Sequence, residues 1–416
     1  MMSGELQVKR GIWASVPNRV RLLILSQVLN GFAFGFFTIY ITSFLPSQGI
    51  APSTVSLVLG VEGFSMLIAG IPFAMLSDRK GRKWFIVIGN ALLAPTIMVF
   101  ALTRNIGLYF VVAAVTGLGQ AMGLSSWNAM IADQTDLSNR DAAFSLSFIT
   151  GTVSSSVGSA LPLAFPAIEA AAGVGPVGVH VWALLLLGVA NFASPLLCWV
   201  LLRNYREKPP VKWQRGLKLG GMGQTIRFSL INSIVGLGAG LIIPLLPLWL
   251  LLKFSVPDTY SGPYIALSGL TMGLAAVLSP RMSKKMGLFQ AILTTQISST
   301  VFMFSLAFIP NVYLAGGVYI VRAALMNMNS PLMDSFLMGI TPPQRRGLAS
   351  TLSAMIWMVP NTGSTIVGGF ILGSTLYNVP FLGLSHLDLP WVLAAGFYVV
   401  GTVLLFVNFR HVKPNA

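Results

Sequence analysis

Residues 53 to 83 read STVSLVLGVEGFSMLIAGIPFAMLSDRKGRK, a long apolar run that stops abruptly in one aspartate and four basic side chains. A helix needs about 20 mostly apolar residues to cross the hydrocarbon core, because in lipid every backbone N–H and C=O must find its partner within the protein. Residues 53–76 supply that length, and the basic cluster marks where the chain meets water and headgroups.

The same unit recurs along the chain. Spans are expected at 22–45, 53–76, 84–103, 107–132, 142–165 and 180–202, then at 224–252, 260–280, 288–309, 312–338, 347–373 and 389–409. Strands of a membrane barrel would alternate apolar and polar residues instead, and these segments do not. The composition agrees: 55% of the 416 residues are hydrophobic and 9% charged, against about 25% charged in a soluble domain. The expected fold is an all-α integral membrane protein with 12 transmembrane helices.

Lys and Arg fix the expected orientation. Those on alternate loops comprise Lys9, Arg10, Arg19 and Arg21, the cluster at 79–83, Arg140, the connection from Arg203 to Arg227, Arg281, Lys284, Lys285, Arg345, Arg346, Arg410 and Lys413. The exceptions are Arg104 and Lys253 on the opposite loops and Arg322 inside a span. The positive-inside rule then places both termini in the cytoplasm of a multi-pass plasma-membrane protein. A net charge of +15 distributed in this way punctuates apolar runs, so no nucleic-acid partner is expected. Residues 1–21 form a cytoplasmic lead, 22–202 a six-helix bundle, 203–222 a Pro- and Gly-rich cytoplasmic linker, 223–410 a second bundle and 411–416 a tail.

The halves repeat. A shift of 205 positions lays Gly31 and Gly35 on Gly236 and Gly240, Gln27 on Asn232, Arg140 on Arg345 and Gly158-Ser159 on Gly363-Ser364. Two parallel six-helix bundles related by a pseudo-twofold axis along the membrane normal enclose a cavity between them.

The loop Ala74-Met-Leu76-Ser-Asp78-Arg79-Lys-Gly81-Arg82-Lys83 resembles the signature loop of the major facilitator superfamily, G-x-L-x-D-R-x-G-R-R/K, with Ala74 at the first glycine. Its second-half counterpart, Ser279 to Gly287, keeps Arg281, Lys284 and Lys285 but lacks the acid. The resemblance implies a secondary transporter of small solutes, gradient-driven or facilitative, working by rocker-switch alternating access. It also implies a cavity lined by the first, fourth, seventh and tenth spans. A proton-coupled multidrug antiporter is the alternative, weakened because Ala113 stands where such exporters carry an arginine before Gly117-Leu-Gly119. A transporter-derived sensor and a membrane-embedded lipid enzyme rank below both.

Charged side chains at the centre of a span cost roughly 2.5–3.5 kcal/mol on insertion scales, so they mark function or a structural partner. Glu62, between Gly60 and Gly63, is the candidate proton carrier, or else a side chain that reaches the interface or a hydroxyl. Arg322 either grips an anionic group of the solute or locks helices together with Glu62. Candidate solute-binding residues are Arg322, Gln27, Asn30, Gln120, Asn128, Asn232, Asn327, Trp357 and Asn361, with Trp127 and Asn329 as further polar wall residues. The candidate cytoplasmic gate comprises Asp78, Arg79, Gly81, Arg82 and Lys83 with Asp133, Arg140, Asp334, Arg345 and Arg346.

Catalytic chemistry is not expected. Cys198 is the single cysteine, the histidines are His180, His386 and His411, and Ser154–Ser156 have no histidine beside them. No metal or cofactor is expected, and no P-loop occurs. The expected partners are a small-molecule solute, protons and membrane lipid, and the expected state is a monomer.

Overall fold

The computed structural model describes residues 12–136, 139–205, 221–342, 345–380 and 383–412. Most of the expected linker, at 206–220, and parts of the expected lead and tail lie outside the described residues. The first half folds into α1 (Asn18–Ser47), α2 (Pro52–Lys80), α3 (Arg82–Leu102), α4 (Ile106–Asp133), α5 (Arg140–Ser159) and α6 (Pro176–Leu201). The second half gives α7 (Gly223–Gly240), α8 (Leu246–Phe254), α9 (Asp258–Met286), α10 (Leu288–Leu306), α11 (Val312–Ile340), α12 (Arg346–Leu372) and α13 (Leu389–Phe409).

Every expected span falls on helix. Eight of the described helices are long and apolar enough to cross a membrane, and a ninth is gained if the bent pair Leu278–Met286 and Leu288–Leu306 counts as one. The helices overrun the apolar runs, α2 reaching Lys80 and α9 reaching Met286, because helical backbone stays paired through the interface. Two expected spans are interrupted. The seventh is divided between α7 and α8, and the fifth ends at Ser159, followed by a 3₁₀ turn at Leu161–Ala164 and a short helix Phe165–Ala172.

Within each half the helices pack in the same pairs: α1 on α5 and α2 on α4, then α7 on α12 and α9 on α11. Close approach sets both first pairs. A Cβ on Gly35 would stand 2.0 Å from the Ser155 carbonyl oxygen, and one on Gly240 2.0 Å from that of Asn361. Only glycine permits backbones this near.

The repeat carries a slip that a single shift cannot represent. Gly35 and Gly240 are 205 positions apart, whereas their partners Ser155 and Asn361 are 206 apart. The longer spacing also relates Gly81 to Gly287, both at positive φ (104° and 88°), where the chain reverses between α2 and α3 and between α9 and α10. It relates Asn105 to Asn311, whose side chains accept from the first backbone N–H groups of α4 and α11. Arg140 therefore corresponds to Arg346 rather than Arg345, and the expected match of Gly158 with Gly363 does not hold.

The bundles meet through α2 on α12 and α5 on α9. The contacts lie toward the end opposite the termini: Ser56 Oγ donates to the Ile366 carbonyl at 3.2 Å, and Ser261 Oγ lies 3.4 Å from Ser43 Oγ. Toward the end bearing the termini the same helices part around a cavity of about 440 Å³, lined by Met66, Leu67, Gly70 and Ala74 of α2, Asn128 of α4, and Ser350, Ala354, Met355 and Met358 of α12. Leu186, Trp182, Val111 and Ile68 are among the large apolar side chains left exposed on the outside, as a lipid-facing surface requires.

Candidate functional site

A second cavity, about 330 Å³, opens within the N-terminal bundle and shares Met66 and Leu124 with the space between the bundles. Amides from three helices line it: Gln27 and Asn30 of α1, Asn90 of α3 and Gln120 of α4, with Trp127 and Ser147 completing the polar rim. Each is half-tied. Asn90 Nδ2 donates to Gln27 Oε1 at 3.2 Å, Gln27 Nε2 donates to the buried Cys198 sulfur at 3.1 Å, and Asn191 Nδ2 donates to Asn30 Oδ1 at 3.5 Å. Trp127 Nε1 donates to Ser147 Oγ at 2.9 Å. An amide offers two donors and an acceptor with two lone pairs, so this ring retains hydrogen-bonding capacity for a solute.

Glu62 stands behind the ring. Its Oε1 accepts from Gln120 Nε2 at 2.7 Å, which couples the carboxyl to a cavity-lining amide. A carboxyl at this depth needs such a donor. Among the described residues, no Lys or Arg lines either cavity.

Arg322 is elsewhere. It is buried within the C-terminal bundle, where Nη2 donates to Tyr398 Oη at 2.7 Å and the guanidinium lies 5.6 Å from that ring's centroid. Ser299 Oγ donates to the Arg322 carbonyl, and Nε is buried without a hydrogen-bond partner. Among the described contacts there is none to Glu62. Of the other expected solute residues, Asn128 is exposed in the cavity between the bundles. Asn361 Nδ2 donates to the Gly236 carbonyl at 3.0 Å, and Trp357 packs on that same glycine, so both bind α12 to α7. Asn232 and Asn327 are half-buried and line neither cavity. Asn329 is buried between α10 and α11, accepting from Thr295 Oγ1 at 3.2 Å.

At the end bearing the termini, Arg82 gathers the signature loop. Nε and Nη2 reach Asp78 Oδ1 at 3.1 and 2.9 Å, while Nη1 pairs with Asp133 and the Ala129 carbonyl. Tyr205 Oη donates to Asp133 at 3.0 Å. Gly81 supplies the reversal, Arg79 is exposed on the last turn of α2, and Lys83 lies over the Trp84 ring. Arg140 and Arg346 do parallel work: Arg140 Nη2 donates to the Ala132 carbonyl and Arg346 Nε to the Met338 carbonyl, both at 3.1 Å. Each guanidinium thereby satisfies a carbonyl near the C-terminus of the preceding long helix, α4 or α11, where the dipole favours a cation. Arg345 precedes α12, and Asp334 is exposed on α11 with no ion pair among the described residues.

Three side chains at these sites escaped the sequence reading. Asn90 was legible as an amide inside an apolar run, but the third span was not expected to face the cavity. His180 and Asp258, 2.6 Å apart, carried no local signal, since their pairing joins helices from different halves.

Long apolar helices, two similarly packed bundles and a polar cavity in the first that joins the space between them fit a multi-pass membrane transporter. The Major Facilitator Superfamily description matches residues 23–362, and the chain belongs to that family. That family is one of membrane transporters of small-molecule solutes. Among curated proteins the chain resembles the MFS-type transporter YceJ of Bacillus subtilis, at 25% identity over 127 residues, covering 30% of this chain and 32% of the relative. It also resembles the inner membrane transport protein YajR of Escherichia coli, at 32% identity over 96 residues, covering 23% and 21%. The matches thus span about a third and a fifth of those relatives. Among solved structures, a bacterial homologue of the human lysosomal transporter Spinster, inward-facing and occupied, superposes with TM-score 0.71 at 16% identity over 94% of this chain and 96% of the other. The nucleoside transporter NupG gives 0.71 at 14% identity over 95% and 100%. These two likenesses concern the fold.

Proposed function

We propose that the protein carries a small polar organic solute, neutral or cationic, by rocking its two bundles about the amide-lined cavity. The observation that carries this reading is the ring of Gln27, Asn30, Asn90 and Gln120 backed by Glu62, with no basic side chain among the described residues of its lining. Such a site offers donors and acceptors to a hydrogen-bonding solute and a carboxylate to a cation, but no fork for an anion. An anionic solute gripped by Arg322 is therefore set aside.

The bundles are residues 22–202 and 223–410, tied by the linker 203–222 on the cytoplasmic face of the plasma membrane, with both termini on that face. The molecule works as a monomer. In this orientation the open end faces the cytoplasm, and Arg82, Asp78, Asp133, Arg140 and Arg346 belong to the gate that closes there in the opposite state. Glu62 serves as the proton carrier, exchanging its proton as Gln120 turns to the solute.

A second reading, proton-coupled export of amphipathic cations, draws on Met66, Met355 and Met358 in the space between the bundles, since methionine moulds to varied apolar shapes. Counterflow in proteoliposomes with labelled nucleosides, sugars, organic amines and carboxylic acids separates these readings. Transport of a neutral or cationic compound that is lost in Gln27→Leu and Asn90→Leu supports the site. Transport confined to carboxylic acids, or unaffected by both substitutions, removes it.

A further inference from the structure

His180 and Asp258 meet across the bundles at the end opposite the termini. His180 lies in the second turn of α6, Asp258 opens α9, and Nε2 and Oδ2 are 2.6 Å apart with the residues 3% and 5% exposed. An aromatic box holds the ring: Phe44 stacks on it at 3.6 Å, Phe165 meets it edge-on at 4.6 Å, and Phe36 and Tyr40 stand at 6.2 and 6.4 Å. Phe44 ends a π-helical turn, Tyr40–Phe44, inside α1. Such turns interrupt a helix most often where a side chain must be aimed. Nδ1 lies 2.7 Å from the Pro176 carbonyl oxygen.

These distances bear on where protons can sit. A carbonyl only accepts, so Nδ1 carries a hydrogen. At 2.6 Å, Nε2 and Oδ2 need another hydrogen between them, on one atom or the other, because two lone pairs do not face each other at that distance. This geometry accommodates one proton more than a neutral imidazole and a free carboxylate together.

We propose that His180 and Asp258 form a proton-binding latch on the outer gate, which closes by taking a proton from the external solution and opens by returning it to the same side. The latch rests on the rocking motion proposed above, since only that motion parts α6 from α9. Because the proton enters and leaves by one face, the site reads external acidity without carrying charge across the bilayer. It is thus separate from Glu62. The other titratable and charged groups near this end are Tyr40 of α1, Arg104 and Tyr109, which share a pocket with Tyr40, Phe44 and Val177, Glu169 on the short helix that carries Phe165, and Tyr260 and Tyr264 of α9, which turn toward Tyr313 and Gly316. Lys253, just before α9, is held by Asp388 Oδ1 and the Ala307 carbonyl, each at 2.7 Å.

Above about pH 7, where an imidazole exposed in the parted state is itself neutral, one proton held only by the closed state shifts the closed-to-open ratio by about tenfold per pH unit. The test uses the full chain in proteoliposomes with spin labels on Ser47→Cys and Leu376→Cys, reporting the outer end, and on Lys80→Cys and Lys284→Cys, reporting the inner end. Label distances are read across roughly pH 7 to 9. The expected result is an outer open-to-closed ratio that grows about tenfold per unit with rising pH. In His180→Gln the new amide donates to Asp258, and in Asp258→Asn it donates to Nε2, so each keeps the contact without the extra proton and the response becomes flat. A wild-type protein with no pH response, or folded variants that respond as it does, overturns the latch. If one variant does not fold, the other decides between the two outcomes by itself. Opposed inner and outer movements without pH dependence would refute the latch and leave the carrier reading standing. An outer end that opens with pH while the inner end stays fixed would overturn the rocking motion and confine the latch to a local outer gate.

Discussion

At the scale of single residues, Glu62 and Arg322 looked alike in sequence, each a charge inside an apolar run, and the structure separates them. Glu62 reaches a cavity-lining amide, whereas Arg322 is enclosed by its own bundle. Glu62→Gln is expected to abolish proton-driven accumulation while solute exchange persists, read by uptake with and without an imposed pH gradient. Unchanged dependence on the gradient would take Glu62 out of the mechanism. For Arg322 the prediction concerns stability. Tyr398→Phe removes the acceptor at 2.7 Å and leaves a buried donor unpaired, which costs about 1–3 kcal/mol. Thermal unfolding of the purified protein should register that loss, with solute affinity unaltered. Sequence revealed which residues are polar in an apolar setting, but not their direction, because a charge on a helix facing its own bundle and one facing the cavity produce the same string. Gln27, Asn30 and Gln120 were legible because a resemblance said which spans turn inward; Asn90 was not.

At the scale of elements, apolar run length and basic punctuation made the helices readable, and the repeat was visible through glycine. Its exact register was not, because one added residue between the close approach of Gly35 and the turn at Gly81 moves every later equivalence by a position. The structure therefore predicts opposite outcomes for glycines that a uniform shift treats alike. Gly35→Ala and Gly240→Ala place a methyl group 2.0 Å from a carbonyl oxygen, and overpacking of this kind costs about 1–3 kcal/mol. Gly363→Ala meets open space and should be neutral or stabilising by up to about 1 kcal/mol, since alanine is the better helix former. Thermal denaturation of the three variants in one detergent reads the contrast directly, and equal losses would mean that the glycine contacts do not set the packing of α1 on α5.

At the scale of the whole molecule, contact at one end and separation at the other are what sequence cannot report, since under the proposed rocking motion the same chain adopts both arrangements. The contacts of Ser56, Ser261 and His180 at one end and the parted halves of α2 and α12 at the other fit one station of the proposed cycle. Ala354 lies exposed in the space between those inner halves, while Cys198 is buried. Labelling of Ala354→Cys with a membrane-impermeant thiol reagent, in right-side-out and inside-out vesicles, therefore tests the account most directly. Modification from the cytoplasmic face alone is the predicted result; modification from the external face alone, or equally from both, would contradict it.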